Sequence, residues 1–271
     1  MRTLVHLSDL HFGRLDYATI EPLARLITEL EPDVVAVSGD LTQRARIAEF
    51  EAARDFLDRL PSPQIIVPGN HDVPLHNPYR RFVRGLARFR AHITDELEPT
   101  YADGELAIIG VNTARSLTIM GGRMSALQVA RVRQWLCPFH DDIVKIIVTH
   151  HPFELPEGRH RRWLIQRART TMKRLAHCGA DVFLSGHLHL HLVRHTAVRY
   201  RVPGLSALIV QAGTATSTRG RYEANSFNVL RIEHPNITVE RHLWRREAGR
   251  FAVDTVERFV HCGEGWDRVS P

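Results

Sequence analysis

Carboxylate, imidazole and amide side chains recur in this sequence at short spacing behind hydrophobic runs: Asp9-Leu10-His11, Gly39-Asp40, Gly69-Asn70-His71-Asp72, His150-His151-Pro152 and Gly186-His187-Leu188-His189. A histidine pair in a loop more often sits at the surface or caps a helix than binds a metal. Five such clusters, each behind an apolar run, are hard to assign to packing alone. A mixed set of carboxylate, imidazole and amide donors suits manganese, iron or zinc better than magnesium. The donors are too many for one ion. Two ions roughly 3.5–4 Å apart, bridged by one carboxylate and one solvent molecule, would use them all, and this arrangement serves phosphoryl chemistry.

The runs that position these groups read as buried strands. Thr3–Leu7, Asp33–Val37, Gln64–Val67, Val144–Thr149 and Ala180–Leu184 are short and apolar, and each stops at a polar turn. Open α/β sheets keep their sites beyond such carboxyl ends. Helical spacing of Leu23, Leu26, Ile27 and Leu30 ends at Pro32, and Ile47, Phe50, Ala53, Leu57 and Leu60 form a second amphipathic helix closed by Pro61 and Pro63. Phe82, Leu86 and Phe89 give a third helical stretch, rich in arginine. A strand covers 106–112, and Ser125 with Gln128 forms a capping box for a helix running to about Leu136. Gly186 is expected to let the chain turn as it leaves its strand, with period two bringing His187 and His189 to one side. Beyond residue 190 the pattern turns to β alone: 193–202, 207–211, 226–232 and 237–243 read as antiparallel strands of a second sheet, and the tail from His261 as irregular.

A chain of 271 residues, 44% apolar and 24% charged, suits one α/β domain spanning 1–271. No apolar run approaches the ~20 residues of a membrane-spanning helix, so no membrane partner is expected. Asp9 and His11 leave no room for a removable leader. Cys137, Cys178 and Cys262 are scattered without a CxxC pair, which indicates neither a disulfide framework nor a zinc finger and fits a reducing cytoplasm. Net charge is +6, and the basic residues are almost all arginine.

The order of the motifs resembles that of the calcineurin-like binuclear metallophosphoesterases, over residues 9 to 189. The resemblance implies their fold, an αββα sandwich of two packed β-sheets flanked by helices. It implies two divalent ions, manganese first with iron or zinc as alternatives. One ion would be held by Asp9, His11 and His189, the other by Asn70, His150 and His187, with Asp40 bridging. His71 would bind no metal; it would face the substrate phosphate, stabilising charge or protonating the leaving oxygen, with Asp72 orienting its ring. The implied reaction is hydrolysis of a phosphodiester by a two-metal-activated hydroxide. His6 reads as a satisfied core histidine, His151 as pointing away from the ions, His191 as a bystander and Asn112 as a turn residue.

The metal ligands do not name the substrate. Leu41-Thr42-Gln43-Arg44-Ala45 lacks the arginine-glycine pair that follows the G-D motif in the family's protein phosphatases. A non-catalytic scaffold would have lost ligands, and none is missing here. Arg80, Arg81, Arg84, Arg88 and Arg90 occur with no acid between Val73 and Thr94, and Arg159, Arg161, Arg162, Arg167, Arg169, Lys173 and Arg174 with none from Gly158 to Ala180. Two basic walls would track a nucleic-acid backbone, with Tyr79, Phe82, Phe89 and Trp163 as stacking candidates. Arg80, Arg81, Arg161 and Arg162 are therefore expected substrate contacts, joined by Arg219 and Arg221 in the 214–225 loop. The leading expectation is an endonuclease favouring single-stranded DNA. A cyclic-nucleotide phosphodiesterase is the alternative, ahead of a sugar-nucleotide pyrophosphatase.

Overall fold

Buried strands with apolar side chains on both faces need cover on both sides, and the sequence supplies it as two sheets stacked between helices. The computed structural model describes the chain except residues 76, 77, 117, 119, 201, 203–205, 220–222, 264, 270 and 271, and except the side chains of Pro78 and Arg80. In chain order the elements are β1 (Arg2–Leu7), α1 (Tyr17–Glu29), β2 (Val34–Val37), α2 (Ile47–Leu57), β3 (Gln64–Ile66), α3 (Pro78–Val83), α4 (Ala87–His92), β4 (Thr100–Ala102) and β5 (Leu106–Val111). Then follow α5 (Ala126–Leu136), β6 (Val144–Thr149), α6 (Ala168–Leu175), β7 (Val182–Ser185), β8 (Leu192–His195), α7 (Thr196–Arg199) and β9 (Leu208–Gln211). The chain closes with β10 (Ser226–Glu233), β11 (Asn236–Arg245), β12 (Arg250–His261) and β13 (Trp266–Val269).

One sheet runs β13-β12-β11-β10-β1-β2-β3 and the other β4-β5-β6-β7-β9-β8. Side-chain alternation divides each strand between two cores. Leu4, Val34, Ala36 and Ile65 meet Ile108, Ile146, Val148 and Leu184 between the sheets. Val5, Leu7, Val35 and Val37 face α1 and α2 through Leu23, Ile27, Phe50 and Leu57. Ile109, Ile147 and Phe183 face α5 and α6 through Val132, Leu136 and Met172. The αββα sandwich expected from the motifs is the observed architecture, and Ser125 caps α5 with Gln128 returning the bond.

The sheet topology and the second half of the chain depart from expectation in four ways. The site-bearing strands belong to both sheets: β1, β2 and β3 to one, β6 and β7 to the other. The strands after residue 193 do not build a sheet of their own. β9 joins β7 in parallel, whereas β10 pairs antiparallel with β1 and β11–β13 extend outward from it. The reason is that β1 at the edge of a three-stranded parallel sheet leaves a row of backbone groups that β10 satisfies. The expected strand 193–202 ends at His195, and α7 then sinks Tyr200 into the helix-side core. The tail is not irregular: Trp266 opens β13, is buried, and donates its indole N–H to Asp181 Oδ1 at 2.8 Å.

The cysteine expectation is also corrected. Cys137 ends α5 and Cys178 lies in the short 3-10 turn Ala176–Cys178, and the two form a disulfide with Cα atoms 4.4 Å apart. Packing of α5 against α6 brings together residues 41 positions apart, which spacing alone does not reveal. The cysteines therefore give no argument for a reducing compartment. Among the described residues no helix is long and apolar enough to cross a membrane.

Candidate metal centre

The turns after β1 and β2 run on side by side beyond their strands: Asp9 N–H donates to Gly39 O at 3.0 Å, and His11 N–H to Asp40 O at 2.9 Å. Asp9, His11, Asp40, His187 and His189 all adopt left-handed φ values between 51° and 73°. Such conformations cost about 1–2 kcal/mol each outside glycine and concentrate where the surroundings enforce them, as at functional sites.

Two donor sets converge. In the first, Asp9 Oδ1 lies 3.1 Å from His189 Nε2 and 3.6 Å from His11 Nε2, and the two Nε2 atoms are 3.1 Å apart. In the second, His150 Nε2 lies 3.0 Å from Asn70 Oδ1 and 3.1 Å from His187 Nδ1. Asp40 reaches both, with Oδ2 3.8 Å from His11 Nε2 and Oδ1 3.4 Å from His150 Nε2.

These spacings can be tested against a metal. Ligands at about 2.1 Å from an ion lie roughly 3.0 Å apart at a right angle and roughly 3.4 Å apart in a tetrahedron. The observed separations fall near that range. The lone pairs also point inward. His150 Nδ1 faces the Ser38 carbonyl at 2.8 Å and His187 Nε2 the Met120 carbonyl at 2.8 Å, so each carries its hydrogen outward and leaves the other nitrogen as an acceptor. Asp9 Oδ2 accepts from Ser8 Oγ and His187 N–H, while the buried Oδ1 has no hydrogen-bond partner. A buried carboxylate oxygen without a donor, aimed at two imidazoles, fits a cation. The residues present therefore fit two first-row divalent ions.

Electrostatics tie the groups together. Burial alone would raise the Asp9 and Asp40 carboxyls, but His189 and His11 hold Asp9, and His150 and His71 hold Asp40, well below the usual carboxylate range. Burial pulls His150 down, and Asp40 outweighs it and lifts the ring to about 9. Burial depresses His11 to about 4 and, with His150 beside it, His187 to about 3.

Gly186 serves close approach as well as the sharp turn expected of it, which closes with Leu188 N–H donating to Gly186 O at 2.9 Å. A Cβ there would stand 1.7 Å from Ser8 Oγ and 2.5 Å from Asp9 Oδ2, so Gly186→Ala must displace the β1 turn. We expect that variant to lose about 1–3 kcal/mol of stability, read as a lower Tm together with weaker metal retention. A wild-type Tm and metal content would contradict this account.

His71 stands beside the donor sets, its ring centroid 5.0 Å from that of His11. Its backbone N–H donates to Asp40 Oδ1 at 2.8 Å, Nδ1 lies 2.8 Å from the Gln43 carbonyl, and Nη1 of Arg219 lies 2.8 Å from Nε2. An arginine can only donate and a carbonyl can only accept, so the ring is neutral with its hydrogen on Nδ1. The partner that orients His71 is thus the Gln43 carbonyl and not Asp72. Asp72 is fully buried and accepts from Leu41 N–H, Thr42 N–H, Thr42 Oγ1 and Gly69 N–H, which pins the β2 turn to the β3 turn. Burial and the nearby Asp40 push its carboxyl up, against the pull of those donors.

The arginines divide. Arg81 is only 6% exposed and spends its guanidinium on the carbonyls of Ser116, Thr118 and Pro74. Arg88 caps the Ala45 carbonyl and Arg90 the Asp95 carbonyl. Arg81 is therefore structural, because a buried guanidinium must find acceptors, whereas Arg84 and Arg90 are exposed. Phe89 is core, while Tyr79 and Phe82 are exposed. Arg80 lies on α3 with its side chain outside the described residues, and Arg221 is likewise outside them. Arg161 and Arg162 are exposed beside Trp163, whose ring centroid is 5.2 Å from that of His187. The 214–225 loop holds the site from above: Thr214 Oγ1 donates to Asp9 O and Thr216 Oγ1 to Leu10 O, which carries Arg219 to His71.

Of the neighbouring polar residues, His6 pairs with Ser38 Oγ, His191 with Asn228, and Asn112 accepts from Ala114 N–H in its own turn. His151 is closer to the centre than expected. Its Nδ1 meets Thr113 Oγ1 at 2.9 Å, its ring is 4.6 Å from that of His187, and its donor atom groups with those of His150 and His187 within 4.8 Å.

A model of the calcineurin-like phosphoesterase family matches residues 2–191. The chain belongs to the calcineurin-like phosphoesterases. Among relatives of this phosphoesterase, glycerophosphodiester phosphodiesterase GpdQ of Enterobacter lignolyticus is 36% identical over 80 residues, covering 26% of this chain and 29% of that protein. A probable cyclic nucleotide phosphodiesterase of Synechococcus sp. is 28% identical over 126 residues, or 46% of this chain and 45% of that one. The matches span less than half the length of either relative. Purple acid phosphatase PPD1 of yellow lupin superposes with a TM-score of 0.68 at 14% identity, over 94% of this chain and 53% of that one. A dimetal phosphatase of Danio rerio gives 0.66 at 13% identity, over 88% and 95%. These two likenesses concern the fold.

Proposed function

We propose that this phosphoesterase is a two-metal phosphodiesterase acting on small phosphodiesters. The observation that carries the reading is the division of Asp40: its two oxygens face two separate donor sets, Asp9–His11–His189 and Asn70–His150–His187, as a bridging carboxylate requires. Two divalent ions held there would supply positive charge to the phosphate oxygens and to the attacking water. Manganese suits the mixed oxygen and nitrogen donors, with iron or zinc as alternatives.

The chain's own contribution is to position phosphate and move a proton. Arg219 and His71 stand together beside the metal centre, half-buried, with the guanidinium donating to His71 Nε2. Once a phosphate takes the Arg219 donor, His71 Nε2 is free to take a proton from solvent, and the resulting imidazolium passes it to the leaving alkoxide. Charge building on the phosphoryl oxygens is met by the guanidinium, already oriented through the 214–225 loop. We expect Arg219→Ala to raise KM for diesters about tenfold, in line with a lost charge-assisted hydrogen bond, while metal content stays at the wild-type level. An unchanged KM would remove Arg219 from the phosphate site.

Small diesters are favoured over single-stranded DNA because three of the first wall's arginines, Arg81, Arg88 and Arg90, hydrogen-bond backbone carbonyls. The two relatives bear the names of phosphodiesterases for glycerophosphodiesters and cyclic nucleotides. The nuclease reading keeps the exposed arginines between 159 and 174 in its support. Manganese-loaded protein should hydrolyse bis(p-nitrophenyl) phosphate, lose that activity in EDTA and regain it on metal addition. Presenting it in parallel with glycerophosphoethanolamine, cyclic AMP and circular single-stranded DNA separates the readings. Efficient linearisation of the circle would move the assignment to a nuclease.

A further inference from the structure

A cavity of about 770 Å³ adjoins the metal centre. His187 joins the two: Nδ1 faces His150, and Nε2 donates to the carbonyl of Met120, which lines the cavity. Trp163, packed on His187, sits between cavity residues Arg162 and Leu164. The volume falls within the ~300–1,000 Å³ of small-molecule sites.

Its lining has one chemical character. Ile165, Ala168 and Tyr200 are buried and apolar toward it, and Arg161, Arg162, Arg167 and Arg169 are exposed around it. Among the described residues no aspartate or glutamate lines it. Arg199 also contributes, but its guanidinium is engaged at 2.6 Å with Glu154. Arg161, Arg167 and Arg169 make no ion pair among the described residues, and Arg162 lies 5.7 Å over the Trp163 ring. The loop that carries them is fixed: Ile165 N–H donates to Pro152 O at 3.1 Å, Gln166 N–H to Gly122 O at 2.8 Å, and Arg167 enters α6 in a left-handed conformation at φ 59°. Four guanidinium groups gathered without an acid repel one another, and an anion relieves that repulsion.

Resting on the phosphodiesterase reading above, we propose that this cavity holds the far end of the substrate, and that this end is a second phosphate. The substrate class is a small diester in which one alcohol has an apolar or planar body ending in a phosphate monoester. The diester phosphorus sits at the metal centre, the body lies on Ile165, Ala168 and Tyr200, and the terminal dianion meets the arginines. A single diester charge, met at the metals, leaves the guanidinium groups of Arg161, Arg167 and Arg169 without an ion-pair partner among the described residues. A terminal phosphate supplies two charges and three acceptor oxygens in a geometry that guanidinium groups match.

The test uses thymidylyl-thymidine, TpT, against the same compound with a terminal phosphate at either end, pTpT and TpTp, on manganese-loaded wild type and the double variant Arg167→Glu/Arg169→Glu. Wild type should prefer one phosphorylated form at least about tenfold in kcat/KM, through KM, and the variant should lose that preference. Bis(p-nitrophenyl) phosphate, which has no second phosphate, reports the fold and the metal centre in both proteins. If wild type does not hydrolyse it, the phosphodiesterase reading fails. The cavity is then judged by calorimetric binding of thymidine 3′,5′-bisphosphate, which should weaken about tenfold in the variant. Equal rates for TpT and its phosphorylated forms, a preference that survives in the variant, or equal binding of the bisphosphate would each overturn the proposal. So would a kcat/KM that keeps rising with the length of an oligothymidylate, which would point to a polymer in an open groove.

Discussion

Asp40→Asn should bind fewer than the about two metal equivalents expected of wild type and should lower bis(p-nitrophenyl) phosphate hydrolysis by at least about 10³-fold. The substitution keeps the shape and one acceptor, so the fold is preserved. It removes the negative charge shared by two donor sets and turns an NH2 group toward one of them. The oxygens lie 3.8 Å from His11 Nε2 and 3.4 Å from His150 Nε2, so neither set can avoid the change. Oδ1 also accepts the His71 backbone N–H, which ties the β3 turn to the same carboxylate. Residues that merely orient ligands already shift metal affinity about 10–100-fold, and a shared ligand must exceed that. Metal analysis of the purified variant, with circular dichroism to confirm the fold, decides the matter. Two retained metals and activity within tenfold of wild type would sink the bridging assignment.

The candidate site was readable to the degree that it lies in side-chain type and local spacing. Five polar turns behind five apolar runs are a local pattern, and the structure brings those turns together at one place, with Asp9, His11 and His189 in one set and Asn70, His150 and His187 in the other. Contacts made by backbone carbonyls were not readable. Gln43 O on His71, Ser38 O on His150 and Met120 O on His187 depend on where loops pass, and any residue type has a carbonyl. For that reason Asp72, the nearest carboxylate in sequence, looked like the partner of His71. The arginines misled for a related cause. A run without acids looks like an open basic face, whereas the guanidinium of Arg81 can equally turn inward and satisfy three carbonyls.

Fold class followed from strand and helix periodicity, but sheet membership did not. The alternation in β10 is the same whether it pairs with β1 or with a neighbour after residue 193; only the unpaired edge of β1 chooses. Likewise the left-handed φ of Asp9, His11, Asp40, His187 and His189 is uncommon outside glycine, and although Asp and His adopt it more readily than most residues, residue type alone does not announce it. Five such residues gathered at one place are expected where a site constrains the backbone.

His71→Ala separates proton transfer from metal binding. We expect turnover of an alkyl diester such as glycerophosphoethanolamine to fall about 10²–10⁴-fold with metal content unchanged, the range that a positioned acid–base group contributes. The ring contacts Gln43 O and Arg219 and packs edge-on against the His11 ring at 5.0 Å, but it offers no ligand atom to either donor set, so its removal takes no ligand away. The leaving group supplies a sharper discriminator. An alkoxide needs a proton as it departs, whereas p-nitrophenolate leaves without one, so bis(p-nitrophenyl) phosphate should lose only about tenfold, the part due to charge stabilisation. Equal losses on both substrates would confine His71 to stabilising phosphoryl charge, and loss of metal would make it structural. Asp72→Asn offers the contrast. It disturbs three hydrogen bonds from the β2 turn and one within the β3 turn and should lower Tm, while leaving the ratio between alkyl and aryl substrates near wild type, because the His71 ring is held by Gln43.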